Sequence, residues 1–316
     1  MKRKTLVEAT HLGKNTKYKT TYDPSLLVAV PRQENRDSLG IIGSDLTFTG
    51  VDVWNAYEVS ALMPNGMPIV YTCKIVYPAN SEFIVESKSL KLYLNSFNMQ
   101  TIDGVNLLEH THNLTKTIKQ DLSTLLKTDV NVGLHNVSSH TNFGHKSPLN
   151  DGNILPVHDL DVYSFLRPNT GARPAYTEDP NQLSSEYIDT VSLDRKPEFK
   201  LYHSALLRSN CKVTKQPDWG SVYIGMTPNK YKIDKASLLN YIVSFRNENH
   251  FHEEICEAIF QRLTDHAEPS ELIVACFYTR RGGIDINPIR ASSAYLLDMF
   301  RDYMNVDQLS HKTVRQ

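Results

Sequence analysis

YEVSALMPNGMPIVYTCKIVY, residues 57–77, decides the fold class. Two strand-like runs flank Pro64-Asn65-Gly66, a strong turn signal, so the segment reads as a β-hairpin. Downstream, Asn113 to Lys127 carries Leu114, Ile118, Leu122 and Leu125 at helical spacing, with polar residues between them. Asp129 to Leu134 then reads as a further strand.

The same succession returns from about Ser204 onward. Gly220 to Gly225 and its continuation read as strands around the turn Thr227-Pro228-Asn229. Lys235 to Arg246 places Leu238, Leu239, Ile242 and Phe245 on one helical face. His252 to His266 does the same with Ile255, Ile259 and Leu263, and Leu272 to Tyr278 returns to strand. The recurring order predicts two related antiparallel α+β modules in tandem. Between them, residues 146–200 hold six of the fifteen prolines, which reads as a connector with a few short strands, Val162 to Leu166 among them. The expected division is therefore 1–145, 146–200 and 201–316.

A chain of 316 residues with net charge −1 has room for two cores and lacks the basic footprint of a nucleic-acid-binding protein. No stretch approaches the roughly 18 apolar residues of a membrane span, and the N-terminus lacks the apolar core of a signal peptide. The four cysteines, Cys73, Cys211, Cys256 and Cys276, form no CxxC, so reduced thiols and a cytoplasmic setting are expected. GxGxxG, GxxxxGK[ST] and GxSxG are all absent, which disfavours a Rossmann site, a P-loop and a serine nucleophile elbow.

Three polar clusters remain. Cys211 follows Ser209-Asn210 and precedes Asp218 by seven residues in a Pro-containing loop. A thiol attacks only as thiolate and needs a proton partner, so the spacing admits a nucleophile with its acid, or an unreactive loop cysteine beside a turn aspartate. In His250-Phe251-His252-Glu253-Glu254 the carboxylates either stabilise a helix start, or Glu253 accepts hydrogen bonds from a guanine-like edge while His252 binds or transfers a proton. Zinc on His250 and His252 is a poorer reading, because the HExxH spacing is absent and no cysteine is read as lying at a ligand spacing. Glu86-Ser87-Lys88-Ser89-Leu90-Lys91 and Arg280-Arg281-Gly282-Gly283 are either solvated strand-edge charges or phosphate holders through Lys88, Lys91 or Arg281. His110, His112, His135, His140 and His145 show no metal spacing, and Cys256 and Cys276 read as core thiols.

Taken together, VESKSLKLYLNSFN (85–98), SNCKVTKQPDWGSVYI (209–224), VSFRNENHFHEEICEAIF (243–260) and YTRRGGIDINPIR (278–290), with TYDPSLLVAVPR (21–32), resemble the NADPH-dependent 7-cyano-7-deazaguanine reductases, the nitrile reductases of the queuosine pathway. Neither half carries every motif, which is similar to the two-module form of that family. The resemblance implies an α+β fold of tandem tunnelling-fold modules, antiparallel sheets with helices packed on one side.

It also implies that Cys211 attacks the nitrile carbon to give a covalent thioimide, with Asp218 as proton donor and His252 assisting. Val85, Glu86, Ser87, His252 and Glu253 would contact the deazaguanine. Ser87, Lys88, Arg281 and Gly282 would contact NADPH, the co-substrate for two hydride transfers that leave 7-aminomethyl-7-deazaguanine. No metal, no direct nucleic-acid contact and no membrane are expected, and a homodimer is. An Asp has a reference pKa near 3.9, so Asp218 must either be raised by burial or collect the Cys211 proton during attack; the second route is preferred. Two alternatives carry distinct signatures: a zinc-dependent cyclohydrolase of the same fold would hold metal, and a non-catalytic tRNA-binding protein would bind with strong salt dependence.

Overall fold

The computed structural model describes residues 19, 21–42, 46–136, 157–161, 175–188, 197–309, 312–313 and 316. The 57–77 segment is a hairpin as expected, though its first arm begins earlier: strand β2 spans Thr49–Leu62 and β3 spans Pro68–Pro78, after the short β1 at Ala29–Pro31. Met63 N donates to Met67 O at 2.8 Å to close the turn, and Gly66 adopts φ +82°, a conformation glycine takes at little cost.

The remaining strands are β4 (Phe83–Val85), β5 (Asn131–Asn136), β6 (Val157–Asp159), β7 (Ser185–Tyr187), β8 (Lys200–Ser204), β9 (Arg208–Cys211), β10 (Pro217–Thr227), β11 (Tyr231–Ile233), β12 (Asn249–His250), β13 (Glu271–Tyr278) and β14 (Ile284–Ala291). Ten of the strands form one sheet along β12-β9-β10-β13-β14-β2-β3-β5, with β8 also on β10 and β6 on β8. Its pairings are antiparallel except β12–β9 and β6–β8. The two halves meet where β14 runs antiparallel to β2, from Ile284↔Ala56 to Ala291↔Thr49. One continuous, mostly antiparallel sheet therefore runs through both halves, in agreement with the expected α+β class of antiparallel sheets.

Four principal helices lie on one face. They are α2 (Ser87–Ser96) and α3 (Leu107–Leu126) in the first half, and α4 (Lys235–Ser244) and α5 (His252–Ala267) in the second; α1 is a single turn at Gln33–Arg36. Leu114, Ile118, Leu122 and Leu126 form the fully buried stripe of α3, packed with Tyr71, Cys73 and Ile75 of the sheet. Under α4 and α5 a second core gathers Leu238, Ile242, Ile255, Ile259 and Leu263. The opposite sheet face is covered at its centre by Leu296, Phe300 and Tyr303, which pack on Val53, Ala275 and Phe277.

Three local expectations are corrected. Helix α3 begins six residues before the predicted Asn113, capped by Asn106, whose side chain accepts from Glu109 N at 3.0 Å. The Glu86–Lys91 patch is a helix start rather than a strand edge. The continuation beyond Thr227-Pro228-Asn229, β11, pairs with β7 outside the main sheet. The expected strand Val162 to Leu166 lies outside the described residues.

The junction of the halves is ionic. Arg32 and Arg290 both bind Asp52, while Arg36 and Arg290 bind Glu257, all buried. Two carboxylates answering three guanidiniums satisfy one another's hydrogen bonds, the condition under which buried charge is tolerated. Opposite Arg290 sits Gly50, where a Cβ would collide with the Ile289 carbonyl.

Candidate active site

Strand β9 ends at Cys211, and β10 returns beside it with Pro217 opposite Asn210 and Asp218 opposite Ser209. Cys211 N donates to Gln216 O at 2.8 Å, and Lys215 N donates to Cys211 O at 3.0 Å. Lys215 takes φ +59° to close this turn. Sequence separation thus becomes proximity: Cys211 and Asp218 occupy the two arms of one β-hairpin, joined by residues 212–216, not an open loop. The Cys211 thiol is half-buried, and its Sγ accepts from Thr214 N at 3.5 Å.

Asp218 is buried and ion-paired with Arg281, which reaches over from the β13–β14 hairpin and also binds Gln216 and, at 3.3 Å, Thr214 Oγ1. His252 Nε2 lies 3.6 Å from Asp218 Oδ2, within ion-pair range but beyond a hydrogen bond. Burial alone would raise the Asp218 pKa; His252 and the Arg281 guanidinium outweigh it and hold the carboxyl below its ordinary value. Asp218 is therefore a carboxylate in the resting protein.

His252 and Glu253 are the first two residues of α5, where the Glu254 side chain reaches back to accept from Phe251 N at 2.7 Å. The His252 ring packs on Tyr278 with centroids 3.9 Å apart. Glu253 is buried with Oε1 unpartnered, and burial, helped by nearby Asp52, pushes its pKa up to about 7 against the opposing pull of His252 and Arg32. His252 Nε2 and Tyr278 Oη are likewise buried without a hydrogen-bond partner. Of these, Glu253 and His252 line one cavity, so their open atoms are free to meet a ligand there.

The first half completes the wall. Strand β4 delivers Val85, and Glu86 caps α2, its carboxylate accepting from Lys88 N at 3.1 Å and Ser89 N at 2.7 Å. Burial raises the Glu86 pKa, and these backbone donors offset only part of that. Across from Lys88 and Lys91, Gly282 and Gly283 adopt φ +55° and +78° in the hairpin loop; a Cβ on Gly282 would sit 3.1 Å from Lys91 Nζ. Backbone and cations can thus approach one ligand closely here, an arrangement that suits phosphate.

A single cavity of about 300 Å³ is lined by all ten residues singled out by the sequence: Val85, Glu86, Ser87, Lys88, Cys211, Asp218, His252, Glu253, Arg281 and Gly282. Trp54, Ile84, Ile284 and Ile286 supply an apolar wall. Sequence reasoning missed Trp54, Gln216 and Phe251, and did not foresee that Arg281 would pair with Asp218. The only sequence signal for Gln216 and Phe251 was their place within the two polar clusters. Among the described residues no group of three or more His, Cys, Asp or Glu side chains is arranged to hold a metal.

A family model described as nitrile reductase, 7-cyano-7-deazaguanine-reductase N-term, matches residues 18–134, and one described as QueF-like protein matches residues 217–295. The NADPH-dependent 7-cyano-7-deazaguanine reductase of Azoarcus sp. (strain BH72) is 41% identical over 285 residues, 90% of this chain and 91% of that protein. The crystal structure of the archaeosine synthase QueF-Like in the apo form aligns with 31% of this chain and 95% of its own, at 14% identity and TM-score 0.28.

Proposed function

Because the chain belongs to the 7-cyano-7-deazaguanine reductase family, we propose that it reduces the nitrile of 7-cyano-7-deazaguanine to the aminomethyl group with NADPH, as a step of queuosine biosynthesis, through a covalent adduct on Cys211. The observation that carries this reading is the single cavity in which Cys211, Asp218, His252 and Glu253 of one half face Val85–Lys88 of the other. Residues 1–145 and 201–316 are the two modules that share the site, and 146–200 joins them; two copies of the chain form the working enzyme, which sedimentation would check.

In this reading the Cys211 sulfur attacks the nitrile carbon and its proton passes to Asp218, which is ionised and able to receive it. Asp218 then protonates the nitrogen, so the C≡N bond becomes a thioimide without a free nitrogen anion. His252, beside Asp218, holds that carboxylate charged while it waits. Glu253 Oε1 accepts N–H hydrogen bonds from the base edge, and Val85, Glu86 and Ser87 bound the base from the first module.

The cationic corner of Ser87, Lys88, Arg281 and Gly282 fits the phosphates of NADPH. Bound there, NADPH would supply hydride to the carbon, while Cys211, Asp218, His252 and Glu253 manage protons and position. The test is intact-mass measurement after adding 7-cyano-7-deazaguanine without NADPH. An adduct of substrate mass on the wild type, lost in Cys211→Ala and formed more slowly in Asp218→Asn, is the expected result. A wild type that stays unmodified overturns the mechanism.

A further inference from the structure

Converting a nitrile to an amine adds two hydrides to carbon and two protons to nitrogen. Thioimide formation is proton-neutral, because the thiol proton itself moves to nitrogen. Each hydride that follows must be matched by a proton from outside, and Asp218, held as a carboxylate, carries none at rest. Asp218 is itself buried, so protons must be brought to it by neighbouring groups.

A second cavity, of about 210 Å³, adjoins the first at His250 and is lined by Glu178, Glu248, Glu254 and Arg262 among others. His250 is the one side chain that lines both cavities. Its Cα is the parallel-strand partner of Cys211, so the two side chains leave neighbouring strands on the same face. Its Nε2 lies 3.3 Å from Glu248 Oε2 and its Nδ1 3.4 Å from Glu254 Oε1. Glu254 in turn binds Lys212 Nζ at 2.9 Å, and Glu178 pairs with Arg262 at 3.4 Å on the far wall.

From this geometry, and resting on the nitrile reduction set out above, we propose that His250 relays protons from the second cavity to the Cys211 side of the active site. After the first hydride the adduct expels the Cys211 thiolate as the C–S bond breaks and the imine forms, and an imidazolium N–H proton from His250 restores the thiol. After the second hydride the next such proton goes to the nitrogen, directly or through Asp218. Each time Glu248 returns to the ring one taken from water. The electrostatics agree: burial would lower the His250 pKa, but Glu254 and Glu248 outweigh burial and the opposing Lys212, and keep the ring charged above its usual range. Each hydride step then consumes one relayed proton, and no other oxidant or reductant is required.

The test separates the proton-neutral step from the proton-consuming ones. His250→Gln should form the Cys211 adduct at the wild-type rate without NADPH, yet lose steady-state NADPH oxidation by about tenfold or more. Imidazole added to the buffer should restore part of that loss, and the alkaline limb of the kcat profile should move. Glu248→Gln, on the outer side of the relay, should give a smaller loss of the same kind. Unchanged turnover in both variants overturns the relay. So does a His250→Gln variant that is equally slow in adduct formation, which would make His250 a positioning residue for the thiol. Absence of any adduct on the wild type would instead strike the proposed function itself.

Discussion

Each module offers the cavity a glutamate at a helix start, and the two are treated oppositely. Glu86 precedes α2, and both of its oxygens are engaged by backbone N–H groups of its own helix, at 3.1 and 2.7 Å. Glu253 is one residue inside α5, where the capping duty falls to Glu254, and its Oε1 is buried without a partner. The first carboxylate builds the wall; the second is kept open for a ligand. A helix start favours anions through its free N–H groups and dipole. Position within the first turn then decides whether that anion turns back on the helix or faces outward.

The comparison makes its largest claim on stability. In the folded protein the Glu253 pKa is pushed up to about 7, against an ordinary value of 4.5. Between those values the folded state holds a proton that the unfolded chain releases. The protonated carboxyl's stability is thus complete below about pH 4.5 and is lost as pH rises through 7. Glu253→Gln removes the penalty, and at pH 8 should raise unfolding free energy by up to about 3 kcal/mol, with no gain at pH 4. Denaturant melts at the two pH values check this, and equal effects at both would refute the assignment.

That stability gain should come with a loss of binding. In a Cys211→Ala background, where affinity is read without covalent trapping, Glu253→Gln should weaken 7-cyano-7-deazaguanine binding roughly 10–100-fold, the usual worth of a hydrogen bond to a charged group. Below pH 7 the parent itself should lose affinity about tenfold per unit, because Glu253 must first shed its proton to accept from the base. Calorimetry across pH 6–8 would show the slope in the parent and its absence in the Gln variant. A flat parent profile would mean that some other acceptor reads the base.

Much of this was legible in the sequence, and the gaps have physical causes. The 57–77 hairpin announced itself because Asn-Gly fixes the turn locally. The first turns of α3 did not, because Leu107 and Leu108 face solvent, while His110 is buried and bonds Tyr71 Oη at 2.9 Å, inverting the pattern that periodicity reads. Helix α2 was hidden by its polar opening, whose serines and lysines also suit an exposed strand edge. Within the site, motif resemblance supplied the residues, but Glu253 and Glu254 are adjacent and chemically identical; only helix phase separates ligand acceptor from cap. The pairing of Arg281 with Asp218 spans 63 positions and exists because the β13–β14 hairpin ends beside the β9–β10 turn. Such a contact leaves no local trace.

The smallest expected effect is the sharpest check on the opening contrast. Glu86→Gln must turn its new NH₂ toward one of the two backbone donors, because each carboxylate oxygen already accepts one. The lost cap hydrogen bond should cost about 1 kcal/mol, reduced by relief of a buried carboxylate whose pKa burial raises. At pH 8 the net change should therefore be a small destabilisation, opposite in sign to that of Glu253→Gln, with substrate affinity changed by less than about tenfold. Urea melts of the two single variants, measured side by side, decide it. If both substitutions stabilise the fold, Glu86 is also an open ligand acceptor, and the division of labour between the two helix starts disappears.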